Sequence, residues 1–362
     1  MKTKNNFNQL QEGLSSKIVV DNEDYLYFGG TAYLGIPQNK DFIALYTEGI
    51  QRYGLNNGTS RGNNVQLGIY NEAETFVAKT YGLEAALITS SGYLAAKLVV
   101  QAYAKSGVLR YAPNTHPALW LSGNPSNTLE FSVWATQVVD EINNSAEENW
   151  VLLSNSLNNL YPEIYDFSFI RHISSDKKII LIVDDSHGIG ISNLGLGCQQ
   201  NIPNLKNIEV VVLASMAKAL GLDAGVIFGS KDAISMLKQS DEFYGASPPA
   251  AAGLYAFMKG QELYKAAYQK LQANVKLFQQ SLPYASDWHY IDDFPVFLNK
   301  QKGVEQRLLR EKILISSFPY PDRNGNILNR IVLSSWHSEV DILKLVNALQ
   351  TDKGKMGKIK KL

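Results

Sequence analysis

The chain has 362 residues, of which 45% are hydrophobic and 19% charged, a composition that supports a large buried core and two domains. Its 34 Lys and Arg balance its 34 Asp and Glu, so no global basic field points to nucleic acid or to an anionic membrane. A single cysteine, Cys198, excludes an intrachain disulfide framework. No apolar run approaches the roughly 18 residues of a membrane span, and "MKTKNNFNQLQEGLSSK" has no secretory apolar region, so a soluble cytoplasmic protein is expected.

In chain order, "DNEDYLYFGGTAYLG" predicts a short hairpin within an N-terminal arm, residues 1–49. From there "EAALITSS", "GVLRYAP", "NWVLLSNS", "KKIILIVDDS", "IEVVVLAS" and "AGVIFGS" predict strands. Several are continuous Val/Ile/Leu runs, the pattern of strands covered on both faces. Helical patterns alternate with them, among them "YNEAETFVAKTYG", "AAKLVVQAYAK" and "SVWATQVVDEINN". Such alternation predicts an α/β domain over 50–237, with a mostly parallel central sheet and helices on both faces. After it comes one long helical region, then "WHYIDDFPVFLN", "ILISSFPYP", "NRIVLSSW" and the amphipathic "SEVDILKLVNALQ". These predict a smaller α+β C-terminal domain over 238–352. The lysine-rich 353–362 reads as a solvated, disordered tail.

Two short motifs suggest a serine nucleophile and fail on context. "GTSRG", Gly58 to Gly62, fits G-x-S-x-G, but "QRYGLNN" before it is no strand to feed a nucleophile elbow. "SMAK", Ser215 to Lys218, fits S-x-x-K, yet the only K-T-G-like triplet, "KSG" at 105–107, lies upstream instead of downstream.

A wider constellation carries more weight. "LIVDDSHGIG" puts Asp184, Asp185, Ser186 and His187 at the carboxyl end of a buried strand, where open α/β sheets bind ligands. "ITSSGYLAAKLVV" puts Ser90, Ser91 and Gly92 between a strand and a helix, where free N–H groups favour a phosphate. "ASMAKALG" adds the Ser215 hydroxyl and the Lys218 amine at a third strand end. Singly, each is a cap, a turn residue or a strand-end cation. Together, a lysine, a strand-end carboxylate and an anchored phosphate are what pyridoxal phosphate requires, with no metal.

"VDDSHGIGISNLGLG", followed by "SMAKALGLDAG", resembles the fold-type I pyridoxal-phosphate enzymes. Among them the chain is most similar to the α-oxoamine synthases, a group that includes 8-amino-7-oxononanoate synthase and 2-amino-3-ketobutyrate CoA ligase. The likeness runs from "YFGGTAYLGI" to "NRIVLSSWHSEVDI". It implies that Lys218 carries the cofactor covalently, that Asp184 pairs with the pyridine nitrogen and that His187 sits beside the ring hydroxyl. His116, in "NTHPALW", matches the histidine that stacks on the ring. Ser91, Gly92 and Tyr93 match the phosphate loop, Ser215 a further phosphate contact, and Arg330 the arginine that grips the amino-acid carboxylate.

Departures from the family pattern cluster in loops. "LNNLYPE" stands for S-M-D-G, so Asn159 or Asn158 falls where a serine approaches the ring hydroxyl. "YGASPPA" stands for S-T-S-L-P-P, with Gly245 for a hydroxyl residue unless Ser247 serves. Ala118 follows where a serine is usual, Ala32 stands for Asn or Asp, and "GLNNGTSRG" loosens a glycine-rich segment. The resemblance implies a homodimer that condenses an amino acid with an acyl-CoA thioester, with decarboxylation, as 8-amino-7-oxononanoate synthase does. An aminotransferase on the same fold is the alternative, and a non-catalytic cofactor-binding homologue a third reading.

Overall fold

The computed structural model describes residues 7–125, 127–320 and 324–350; the tail predicted at 353–362 lies outside the described residues. The chain forms two compact units. The larger comprises Asn39–Asn158 and Ile164–Tyr264, the smaller the described residues of Met1–Gln38, Asn159–Glu163 and Lys265–Leu362.

In the larger unit the apolar runs become a six-stranded sheet. Its order is Ala85–Thr89, Gly225–Gly229, Ile208–Ser215, Lys178–Asp184, Asn149–Asn155 and Val108–Tyr111. The last four run parallel, and Gly225–Gly229 is antiparallel to both its neighbours. Alternate side chains on each strand point to opposite faces, so a run such as "NWVLLSN" must be covered twice. On one face Trp150, Leu152, Leu181 and Val183 pack with Trp134, Val138 and Ile142 of the helix Phe131–Asn144. On the other, Val151, Leu153, Ile182 and Leu213 pack with Ala95, Leu98 and Val99 of the helix Gly92–Tyr103. Each buried aliphatic side chain of this kind contributes about 1.5–3 kcal/mol, which favours this sheet over alternative registers. The mostly parallel sheet covered on both faces agrees with the fold expected from the sequence.

The smaller unit holds a second six-stranded sheet, in the order Lys17–Val20, Glu23–Phe28, Ile313–Tyr320, Asn326–Val332, Val296–Asn299 and Trp288–His289. The N-terminal hairpin is real but lies earlier than "DNEDYLYF" suggested: Asp21 and Asn22 are its turn, at φ of 54° and 62°. Two consecutive positive φ values suit a type I′ turn, which Asp and Asn tolerate.

The division of the chain differs from the boundaries expected at 49/50 and 237/238. Glu23–Phe28 pairs in parallel with Ile313–Tyr320, which ties the N-terminal segment into the C-terminal sheet. The helix Lys40–Tyr53 belongs to the larger unit, seated against the helix Ala251–Lys259; a Cβ on Gly49 would meet the Ala252 backbone at 2.8 Å. The long helical region is four helices, Lys231–Lys238, Asp241–Gly245, Ala251–Lys259 and Gln261–Ser281. Ser240 caps the second, and Pro248 and Pro249 break the path to the third. The unit boundary falls inside the fourth helix, which begins in the larger unit.

Candidate active site

Four strands of the larger sheet end close together in sequence register, at Thr89, Asn155, Asp184 and Ser215. Asp184 is opposite Asn155 in one neighbouring strand and Leu213 in the other. The chain leaves each of these ends through a turn, so polar groups collect there while the strands stay apolar.

Lys218 lies in the connection between Ile208–Ser215 and Gly225–Gly229. That connection is a closed turn. Met216 N–H donates to Ala224 C=O at 2.9 Å, Leu222 N–H donates to Met216 C=O at 3.0 Å, and Gly221 supplies a φ of 67°. The Tyr264 hydroxyl donates to Leu220 C=O at 2.7 Å and holds the far side. Burial pulls the Lys218 ammonium below its ordinary pKa, against the carboxylates of Asp184 and Asp185, which raise it. An amine so placed gives up its proton more readily than a surface lysine.

Asp184 is buried, and its Oδ1 accepts the Ser186 N–H at 2.9 Å. Asp185 is buried more deeply, and its Oδ2 accepts the Cys198 N–H at 2.9 Å. Burial pushes the Asp185 carboxyl up to about 7; the Ser156 hydroxyl and the Cys198 N–H pull it down, and the neighbouring Asp184 pushes it up. Of these two adjacent carboxyls, Asp185 is the one able to hold a proton near neutrality.

His116 opens the short helix Pro117–Leu119. Its backbone N–H donates to Asn155 Oδ1 at 3.1 Å, and Asn155 Nδ2 donates to Asn114 C=O at 2.7 Å. Its Nδ1 accepts the Ala118 N–H at 3.1 Å, which assigns the proton of the neutral ring to Nε2. Burial lowers the imidazole pKa, the Asp184 carboxylate raises it and the Lys218 ammonium lowers it. His116, Asp184 and Lys218 therefore share one electrostatic neighbourhood.

The fourth part is a candidate anion cradle. Ser91 caps the helix Gly92–Tyr103, its Oγ accepting the Leu94 N–H at 3.1 Å, which leaves the amides of Gly92 and Tyr93 without an intrahelical acceptor. A Cβ on Gly92 would lie 2.5 Å from Ser215 Cβ, so only glycine lets this helix start against the Ser215 strand end. Ser215 N–H donates to Ser186 Oγ at 2.8 Å, and Ser215 Oγ accepts the Ala217 N–H at 3.3 Å, with its own O–H left to donate. The Tyr93 ring is exposed, with Lys97 Nζ 5.5 Å from its centroid.

His187 follows Ser186 in the turn after Asp184 and is half-buried. Asn159 and Arg330 belong to the smaller unit. Asn159 begins the segment Asn159–Glu163. Arg330 lies on Asn326–Val332, paired across the sheet with Leu298 and Ser316. It is 5% exposed, and its Nε and Nη2 have no acceptor among the described residues. Burial lowers its pKa while Tyr33, a fully buried phenol itself raised to about 12, acts in the opposite sense. A buried guanidinium with two idle donors is costly until an anion meets it. His337, seven residues on, is structural. Its Nδ1 accepts the Ser334 N–H at 2.9 Å, its Nε2 donates to Tyr27 C=O at 2.9 Å, and its ring stacks on Phe28 at 4.3 Å. Burial drives it to about 4, so it is neutral at physiological pH.

Asn155 is the residue that reading the sequence missed. It terminates "NWVLLSN" as Asp184 terminates "KIILIVD", and the rule that selected one strand end selects the other. Among the described residues, no three His, Cys, Asp or Glu side chains are grouped to hold a metal ion, and no helix is long and apolar enough to cross a membrane.

Compared with known proteins, residues 28–349 match the family described as Aminotransferase class I and II. The chain belongs to this family. It is accordingly a pyridoxal-phosphate-dependent transferase, of the fold-type I architecture. The 8-amino-7-oxononanoate synthase of Pseudomonas syringae pv. syringae is 24% identical, over 94% of this chain and 90% of that protein. A Methanococcus aeolicus protein provisionally given the same name is 25% identical, over 92% and 91% of the two chains. Among solved structures, a serine palmitoyltransferase from S. paucimobilis with bound PLP superposes with a TM-score of 0.79. The two are 16% identical, with 96% of this chain and 92% of that one covered. The residues present suit the family's cofactor: an anion cradle only glycine can close, a buried carboxylate, and a lysine whose ammonium is destabilised beside it.

Proposed function

We propose that the chain is an acyltransferase of the α-oxoamine synthase type, joining an amino acid to the acyl group of a CoA thioester with loss of carbon dioxide. The observation that carries the cofactor half of this reading is the shared electrostatic neighbourhood of Lys218, Asp184 and His116. The acyl-transfer half is supported by relatives named 8-amino-7-oxononanoate synthase, which match more than nine-tenths of the chain. That synthase is the specific activity we infer.

Pyridoxal phosphate, when bound, supplies an electron sink for the pair left on the amino acid's Cα. Lys218 Nζ would hold it covalently, and the Ser91–Gly92–Tyr93 turn and Ser215 Oγ would hold its phosphate. The Asp184 carboxylate would keep the pyridine nitrogen protonated, while the neutral His116 ring would cover one face of the cofactor. We assign His187 and Asn159 to its ring hydroxyl. Once the amino acid's own amine has taken its place on the cofactor, the freed Lys218 Nζ would be suited to take the Cα proton, because burial leaves the amine with a smaller hold on its own proton. Arg330 is assigned to the substrate carboxylate, which a planar fork with idle Nε and Nη2 donors can receive side-on. A homodimer completes the proposal.

The deciding experiment supplies the purified holoenzyme with amino acids, with and without acyl-CoA. Release of free CoA and carbon dioxide in step, dependent on both substrates, is the expected outcome. Keto-acid formation without CoA release would establish transamination instead, and no turnover with any donor would overturn both.

A further inference from the structure

Outside the strand-end cluster the larger unit holds a buried charge group that the mechanism does not use. Glu74, on the helix Ile69–Thr80, is 4% exposed. Its Oε1 accepts Arg61 Nη1 at 3.0 Å and its Oε2 accepts Lys238 Nζ at 2.7 Å. The Arg61 guanidinium also lies 5.0 Å from the Tyr70 ring centroid and 5.2 Å from that of Phe243. Carboxylates are almost never buried to this degree unless paired, and here two cations compensate one anion.

Glu74 has lone pairs beyond the two that these cations take. Oε1 also accepts the backbone N–H of Ile88, at 3.3 Å. Ile88 belongs to Ala85–Thr89, an edge strand of the sheet, whose one strand neighbour among the described residues is Gly225–Gly229. Glu74 thus supplies the acceptor that a further strand would otherwise provide. Two residues beyond Ile88 the chain enters the turn of Ser90, Ser91 and Gly92. There Thr89 Oγ1 donates to Ser91 C=O at 2.8 Å, and Gly225 is pressed so close that a Cβ on it would collide with that same carbonyl.

We propose that Glu74 is a positioning residue for the phosphate cradle, its Oε1 fixing the edge strand at Ile88 so that the Ser91–Gly92 turn stays seated against Ser215. Arg61 and Lys238 serve by holding the carboxylate at that reach. This assignment gives the "GTSRG" segment a role: its arginine, not its serine, is the working group.

The inference rests on the cofactor reading and is tested by comparing two ligands, pyridoxal phosphate and pyridoxal, which differ only in the phosphate. Their dissociation constants are measured by absorbance titration of the apo-protein. Glu74→Asp keeps the charge for Arg61 and Lys238 but withdraws the oxygen from Ile88. It is expected to weaken pyridoxal phosphate about tenfold, the scale of one hydrogen bond to a charged group, and to leave pyridoxal within about twofold. An unchanged ratio of the two constants in Glu74→Asp, or a parallel loss for both ligands, overturns the proposal. Failure of the wild-type protein to bind pyridoxal phosphate is a separate result, and it overturns the cofactor reading instead.

Discussion

Lys218→Ala gives the sharpest residue-level test of the site. The variant is expected to hold pyridoxal phosphate only reversibly, to lose the visible band that a lysine-bound cofactor gives, and to turn over at least about a thousandfold more slowly. Dialysis followed by an absorbance spectrum checks the first two; an undiminished band after dialysis would remove Lys218 from its assigned role. Arg330→Lys keeps the charge but loses the fork, so KM for the amino acid is expected to rise about tenfold or more while KM for the acyl donor stays put. Asp185 makes a prediction about pH. Its carboxyl titrates near 7 in the folded chain, from an ordinary value of 3.8, so between those values the folded state holds a proton that the unfolded state has lost. That contribution to stability is complete below pH 3.8 and is lost as the pH rises to about 7. Relative to Asp185→Asn, wild-type stability should therefore fall across this window, by up to about 1.4 kcal/mol per pH unit. Denaturant titrations at several pH values measure it; a difference that does not change with pH would contradict the buried, proton-holding state.

At the scale of elements, what could be read from the sequence divides by the range of the forces involved. The strands of the larger sheet were legible because burial on both faces leaves continuous apolar runs, and the strand-end rule then located Asp184 and Ser215. Asn155 uses the same rule, but a lone asparagine carries no chemical signal until His116 is seen donating to it. The hairpin turns at Asp21 and Asn22, at the very start of "DNEDYLYFGGTAYLG", because its first strand, Lys17–Val20, is too short to leave a pattern of its own. Glu74 was invisible for a different reason: its partners Arg61, Ile88 and Lys238 are 13, 14 and 164 residues away, and no local pattern reports them. Gly92 shows how such packing can be tested. Gly92→Ala places a methyl group against Ser215 and is expected to cost about 1–3 kcal/mol, because neither the helix start nor the strand end can yield without moving the other. Thermal unfolding of the apo-protein measures the loss, and an unchanged midpoint would mean that the helix start is not clamped.

At the scale of the whole molecule, the boundaries were the least legible feature. A domain limit is set by which strands pair, and the pairing of Glu23–Phe28 with Ile313–Tyr320 joins segments nearly three hundred residues apart. No composition change near residue 49 or 237 encodes that. The proposed homodimer is a statement at the same scale, and the surface of the larger unit bears on it. Leu55 and Val65 flank the "GTSRG" segment at 77% and 70% exposure, and Leu194 is 83% exposed. Single exposed apolar residues are ordinary, but two in one loop that Arg61 anchors to a buried carboxylate are held in place, not merely tolerated. If that loop meets a second copy of the chain, replacing both apolar side chains by acids should weaken the pairing without unfolding the larger unit, since neither contributes to its cores. Light scattering after size exclusion is expected to give twice the chain mass for the wild type and a concentration-dependent mixture for Leu55→Glu/Val65→Glu. A wild-type protein that runs at the single-chain mass at micromolar concentration would set the dimer aside, and an unaltered dimer in the double variant would move the interface to another face.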